Sequence, residues 1–166
     1  GAFTGAQARS IGKFVQANGG TLLLDEVTEM DLGLQAKLLR VLQEREVEPL
    51  GASKPIQLDV RVVATSNRDL EQAVSDGVFR EDLFYRLSVF PLRIPALRER
   101  PGDIVALARR FSGDRQLAAG ALARLMVHQW PGNVRELENV MQRALLLAGD
   151  SPSIDVSHLA LDDTRS

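Results

Sequence analysis

Two short apolar runs, each ending in polar residues able to do chemistry, constrain this chain most. Gly19-Gly20 precede Thr21-Leu22-Leu23-Leu24, which runs straight into Asp25-Glu26. A continuous apolar run bounded by glycines predicts a strand buried on both faces, as in a parallel sheet. Val60 to Ala64 is a second, β-branched run, and it ends in Thr65-Ser66-Asn67. Between them, Leu34, Leu38, Val41 and Leu42 recur at helical spacing up to about Glu46, with Asp31 placed to cap the helix. That helix is expected to cover one face of the sheet. Val47 to Asp59 carries Pro49, Gly51 and Pro55 and reads as an irregular or hairpin-like excursion.

Further along, Asp69 to Asp76 reads as a short helix stopped by Gly77, Glu81 to Leu87 as another, and Val89 to Ile94 as a third strand. The strand-helix alternation argues for an α/β fold with parallel strands. Composition changes at Pro95 to Gly102, which places a domain boundary there: a partial parallel sheet with flanking helices over 1–96, and a small all-α domain over 97–166. Helices are expected over Asp103 to Phe111, Ala118 to His128 and Val134 to Ala148. The last opens with Asn133 as its cap and Glu136 three positions on, close to a capping box. Residues from Asp150 onward are polar and expected to fray.

Bulk properties exclude several classes. Lys and Arg total 20 against 22 Asp and Glu, so no overall basic field exists for non-specific nucleic-acid binding. No cysteine is present for disulfides or thiolate sites, and His128 and His158 are too few for a metal centre. Apolar runs fall far short of the ~20 residues that span a bilayer, and neither a membrane contact nor a signal peptide is expected. The chain opens on Gly1-Ala2-Phe3-Thr4-Gly5-Ala6, in what reads as a loop, and is expected to be a piece of a longer protein.

The candidate functional residues each have a plainer reading beside the chemical one. Asp25 and Glu26 stand at a strand's carboxyl end, where open α/β sheets place ligands. One acid could hold Mg²⁺ through its waters while the other activates a water, or both could be solvated acids. Thr65 and Asn67 end the second strand, and an amide there could position water beside a phosphate; alternatively Asn67 is a turn or helix cap. Arg80 and Arg86 flank one helix on different faces, and either guanidinium suits a phosphoryl-transfer site. For Arg86 an ordinary pair with Asp82 is the alternative. Arg135 lies near a helix N-terminus, where a cation is unfavourable unless an anion faces it, with Glu136 or Glu138 as plainer partners. Phe3, between glycines, suits an apolar tip for partner binding or a local turn. Trp130-Pro131-Gly132 reads as a rigid, packed turn.

Taken together, the strings GAFTGA, GGTLLLDEV, LQAKLLRVLQERE, VRVVATSNRDL, GVFREDLFYRLSVFPLRIPALRERPGDI and WPGNVRELENV resemble the AAA+ central domain of bacterial sigma-54-dependent transcription activators. The resemblance covers nearly the whole chain, and GAFTGA is close to diagnostic. It implies that Asp25 and Glu26 form the Walker B pair, Asp25 serving Mg²⁺ and Glu26 activating water. It implies that Thr65 and Asn67 belong to sensor I, that Arg80 and Arg86 are arginine fingers offered to the neighbouring subunit, and that Arg135 is sensor II. Gly1, Ala2, Phe3, Thr4, Gly5 and Ala6 would be the tip of the sigma-54-contacting loop, and Val47 to Asp59 the second surface loop, where Pro49 replaces an expected basic residue. ATP would bind between subunits of a cytoplasmic ring, usually a hexamer, whose hydrolysis remodels the closed sigma-54 RNA polymerase complex. Enhancer DNA would be recognised by a C-terminal domain outside this chain. No G-x-x-x-x-G-K string occurs, so the phosphate loop is expected upstream of Gly1 and this chain alone is not expected to hydrolyse ATP. A non-catalytic module that docks on sigma-54 or on AAA+ subunits is the alternative. A generic AAA+ remodeller shares Asp25-Glu26 and Arg135 but does not predict GAFTGA.

Overall fold

The first apolar run is a strand, reached through a glycine turn. In the computed structural model, which describes residues 12–48 and 54–161, helical residues 12–16 (α1) lead to Gly19. Its left-handed backbone (φ 75°), which costs glycine little, turns the chain into Thr21–Leu24 (β1). The Asp31 carboxylate accepts the backbone N–H of Leu34 at 2.9 Å and starts Leu32–Glu44 (α2). That helix stops at Arg45, which is left-handed (φ 53°), slightly before the expected end. Glu46–Val47 (β2) and Ile56–Gln57 (β3) then pair antiparallel, the flanks of the expected hairpin-like excursion. Pro49 lies outside the described residues, as does the whole Gly1 to Ala6 segment. Arg61–Ala64 (β4) runs parallel to β1, with Leu22 opposite Val62 and Leu24 opposite Ala64. Leu70–Ser75 (α3), capped by Asp69 on the N–H of Gln72 at 3.0 Å, and Glu81–Leu87 (α4) follow.

The parallel pair is covered on one face only. Leu22, Leu24, Val62 and Ala64 pack with buried Phe14, Leu38, Leu39 and Leu83. Leu23 and Val63, one step along the pleat, are 58% and 40% exposed. Burial on both faces is therefore corrected: successive strand residues point to opposite sides, and among the described residues only one side has a cover. The third expected strand is also absent. Val89 to Ile94 is irregular, with Val89, Phe90, Leu92 and Ile94 all about 80% exposed. Apolar alternation alone does not make a strand, because an extended segment needs a ladder partner for its N–H and C=O groups. Among the described residues the segment pairs with neither β1 nor β4.

The chain divides into two units, Gly1–Leu92 and Arg93–Ser166. The second contains Pro101–Phe111 (α5), with Pro101 in the first turn where its missing N–H does no harm, then Ala119–Val127 (α6) and Asn133–Leu147 (α7). It is not purely helical: Gln116–Leu117 (β5) and Ser153–Ile154 (β6) pair in parallel. The expected fraying from Asp150 is corrected by the same contact. Ile154 is fully buried in the helical core, so the tail through Leu161 is anchored rather than loose. Arg115 closes the far end of α7, donating to the carbonyls of Leu145 and Gly149 that the helix leaves without partners.

The Trp130-Pro131-Gly132 turn is packed, as expected. Trp130 is fully buried, and its indole N–H donates to the carbonyl of Leu125 at 2.9 Å. Both Trp130 and Asn133 hold left-handed backbones (φ 51°), a conformation that surrounding contacts must enforce in non-glycine residues. Asn133 does not cap α7. Gly132 holds the cap position, Glu136 reaches back to its N–H at 2.7 Å, and the Asn133 amide oxygen accepts the N–H of Leu97 at 2.8 Å.

Candidate active site

Thr65 joins the ends of the two parallel strands. Its backbone extends the ladder by one residue, donating to the Leu24 carbonyl at 2.9 Å and accepting the Val27 N–H at 3.0 Å. Its hydroxyl donates to Asp25 Oδ1 at 2.6 Å and accepts the Glu26 N–H at 3.1 Å. One side chain thus holds both acids. Asp25 is exposed, and its second carboxylate oxygen has no partner among the described residues. Glu26 sits at φ 54°, ψ 55°, left-handed for a residue with a Cβ, at a cost on the order of 1–3 kcal/mol. Strain of this kind persists where neighbours over-determine the backbone, and the Thr65 bonds on either side do so here.

The strand pleat does not set the directions of the two acids. β1 ends at Leu24, before either acid, and the turn at Glu26 sets their relative direction. Behind the acids, the buried Thr28 hydroxyl meets the Ser66 hydroxyl at 3.2 Å, a second tie between the strand ends. The Glu29–Arg68 ion pair at 2.9 Å is half exposed and contributes little. Asn67 is exposed, with no hydrogen-bond partner among the described residues, and the cap of the next helix is Asp69.

The two arginines flanking α4 have different surroundings. Arg80 grips Asp82 with two bonds, Nη2 at 2.6 Å and Nε at 3.0 Å. The hydrogen bond from Arg80 holds the Asp82 carboxyl below the usual carboxylate range, while that to Asp82 raises the pKa of the guanidinium. Asp82 was the expected plain partner of Arg86, which instead donates to the Leu42 carbonyl at 2.7 Å. Arg80 precedes α4 with an extended backbone (φ −75°, ψ 132°), so the spacing rule for residues within a helix does not govern its reach to Asp82. Arg135 is exposed in the first turn of α7 and forms no ion pair among the described residues. Its expected plain partner Glu136 is engaged by the Gly132 N–H and lies 3.8 Å from His128 Nε2.

One residue the sequence reading passed over is Gln35, which is fully buried. Its amide nitrogen donates to the carbonyls of Met30 at 2.8 Å and Val78 at 2.9 Å, and its oxygen accepts the Arg80 N–H at 2.9 Å. The signal was available: Gln35, Leu38, Leu39 and Leu42 form one stripe at helical spacing, so an amide stands at a core position. A buried amide with every partner satisfied is a specific connector.

Residues 1–93 match the family described as Sigma-54 interaction domain, and residues 98–165 match the AAA+ ATPase lid domain. The transcriptional regulatory protein FlbD of Caulobacter vibrioides is 56% identical over 98% of this chain and 38% of its own length. The response regulator protein FleR of Pseudomonas aeruginosa is 62% identical over 89% of this chain and 33% of its own. The crystal structure of NtrX from Brucella abortus in complex with ADP superposes with a TM-score of 0.81 at 39% identity, over 92% of this chain and 38% of that one. The chain therefore spans only about a third to two fifths of the length of these three proteins. Among the described residues no helix is long and apolar enough to cross a membrane.

Proposed function

Because the chain belongs to the sigma-54 interaction family of AAA+ domains, we propose that it is the nucleotide-hydrolysing part of a sigma-54-dependent transcription activator. The observation that carries this reading is the cluster of Thr65, Asp25 and Glu26 at the shared end of two parallel strands. It stands in a chain that also carries the GAFTGA string at Gly1 to Ala6. Asp25 offers a free carboxylate oxygen at the edge where such sheets bind phosphates, a donor set that fits Mg²⁺ held through water. Mg²⁺ bound with ATP would neutralise charge developing on the phosphates.

Each residue then has a task. Glu26 accepts the proton of the attacking water, its position set by the strained turn. Thr65 orients Asp25, and exposed Asn67 is available to position water. Arg80 and Arg86 are offered to the nucleotide of the next subunit in a ring, and Arg135 to the nucleotide of its own. Phe3 and Thr4 contact sigma-54, and that contact is coupled to the presence of the terminal phosphate. A non-catalytic docking module is the second reading, in which the GAFTGA string at Gly1 to Ala6 serves contact alone.

The test uses a protein of the relatives' full length. Glu26→Gln is expected to bind ATP and lose turnover, and normal hydrolysis by that variant removes Glu26 from the mechanism. Phe3→Ala is expected to keep ATPase activity but lose open-complex formation with sigma-54 polymerase. If the unaltered full-length protein binds sigma-54 and hydrolyses no ATP, the docking-module reading replaces the first.

A further inference from the structure

We propose that Gln35 is a positioning residue for the arginine finger: it fastens the start of α4 to the turn that follows Asp25-Glu26, and so fixes where Arg80 is presented. The inference rests on the reading of Arg80 as a finger, but its geometry does not.

Three features make Gln35 more than a filler of the core. First, its two amide protons and its oxygen are all used, on the carbonyls of Met30 and Val78 and on the Arg80 N–H. The network admits one orientation of the amide, since the flipped form would put NH₂ against an N–H and oxygen against two carbonyls. Second, each partner belongs to a segment that needs an external tie. Met30 ends the short turn Val27–Glu29, which the Val27 N–H attaches to Thr65. Val78 and Arg80 lie just past Gly77, which is left-handed at φ 71°, in a connection whose other tether is the Ala73 carbonyl, shared by the N–H groups of Val78 and Phe79. Third, Arg80 occupies the cap position of α4. Its N–H is directed to Gln35 and its guanidinium to Asp82, so backbone and side chain are each held by a separate residue.

A planar amide bonded on both sides cannot follow one partner without straining the other. Gln35 therefore sets the spacing between the turn that carries this subunit's acids and the residue it offers to its neighbour. A misplacement of about 1 Å in a group that acts on the reacting phosphate is enough to cost up to roughly 100-fold in rate.

The experiment uses the full-length, ring-forming protein with ATP as substrate. Gln35→Met keeps the length of the side chain and removes all three bonds. Gln35→Glu keeps the acceptor for Arg80 and sets an oxygen against two carbonyls. Both are expected to lower kcat by about 10-fold or more with KM for ATP changed by less than about 2-fold, because the subunit's own phosphate contacts are untouched. Each combined with Arg80→Ala is expected to be no slower than Arg80→Ala alone. Losses that multiply, or a raised KM at unchanged kcat, overturn the proposal. Arg80→Ala with unaltered kcat instead overturns the finger reading on which it rests. Amide exchange in the unaltered protein supplies a check independent of how the variants fold. The Arg80 N–H is expected to exchange as slowly as those of Leu38 and Leu39, unlike the neighbouring Glu81 N–H. Exchange of Arg80 at the rate of an open helix end overturns the proposal.

Discussion

The two units close their cores differently. In Arg93–Ser166, three helices and a two-residue parallel bridge surround Leu97, Ile104, Leu125, Trp130, Leu137, Met141 and Ile154, each at most 1% exposed. Among the described residues of Gly1–Leu92, the core is one-sided: Leu22, Leu24 and Val62 pack with Leu38 and Leu39 of α2, while Leu23, Val63, Val89, Phe90 and Leu92 are exposed. Apolar burial contributes roughly 25 cal/mol per Å², so the second unit draws stabilisation from a core enclosed between its three helices and the first from the covered face of its sheet. A unit with its own closed core can hold its shape independently. A unit built on a half-covered parallel sheet relies more on local ties such as Asp31, Thr65 and Gln35.

The largest expected effect that tests this contrast is Trp130→Ala. It deletes a fully buried ring and leaves the Leu125 carbonyl without its donor, which should cost about 3–5 kcal/mol in the second unit's unfolding by urea, followed by circular dichroism. A loss below about 1 kcal/mol would mean the core there is looser than its burial indicates. Next, Leu83→Ala, at a fully buried site of the first unit, should cost about 2–5 kcal/mol, whereas Leu23→Ala on the open face should cost less than about 1 kcal/mol. Equal costs would show that the outward face of β1 is covered in solution. Trp130 is the only tryptophan, so its fluorescence follows the second unit while circular dichroism follows both. The fluorescence midpoint in urea is expected above the midpoint of the first dichroism change, and coincident transitions would break the contrast outright.

The smallest effect concerns acid. Asp82 has its carboxyl pulled below the ordinary range by the hydrogen bond from Arg80. The stabilisation it lends is complete above the unfolded-state value and is lost as pH falls through the lowered folded-state value. Asp82→Asn should therefore remove a slight part of the first unit's acid sensitivity and leave the second unit's transition in place. Both groups are close to half exposed, which keeps the effect small.

What could be read in advance was local. Asp31 caps as its position indicates, Gly77 stops its helix with a positive φ, and the strands end where polar residues begin, whereas the cap of α3 is Asp69 rather than Asn67. Those features depend on a few neighbouring residues. What could not be read depended on partners distant in the chain. Val89 to Ile94 has the composition of a strand but no described strand to pair with. Gln116–Leu117 and Ser153–Ile154 have little strand character, yet they pair across the helices between them. Asn133 has the identity of a cap, but its amide serves Leu97, thirty-six residues away. In the candidate site, the acids and Thr65 were visible as residue types at strand ends. The single hydroxyl that links them, the strain at Glu26 and the three partners of Gln35 emerge only from three-dimensional contacts.

Thr65 has one further consequence. A threonine hydroxyl carries a single proton, and here that proton is committed to Asp25. With that proton given to Asp25, the hydroxyl can only accept from any other group, as it does from the Glu26 N–H. Replacement by serine keeps that single donor, whereas valine, nearly the same shape, removes it.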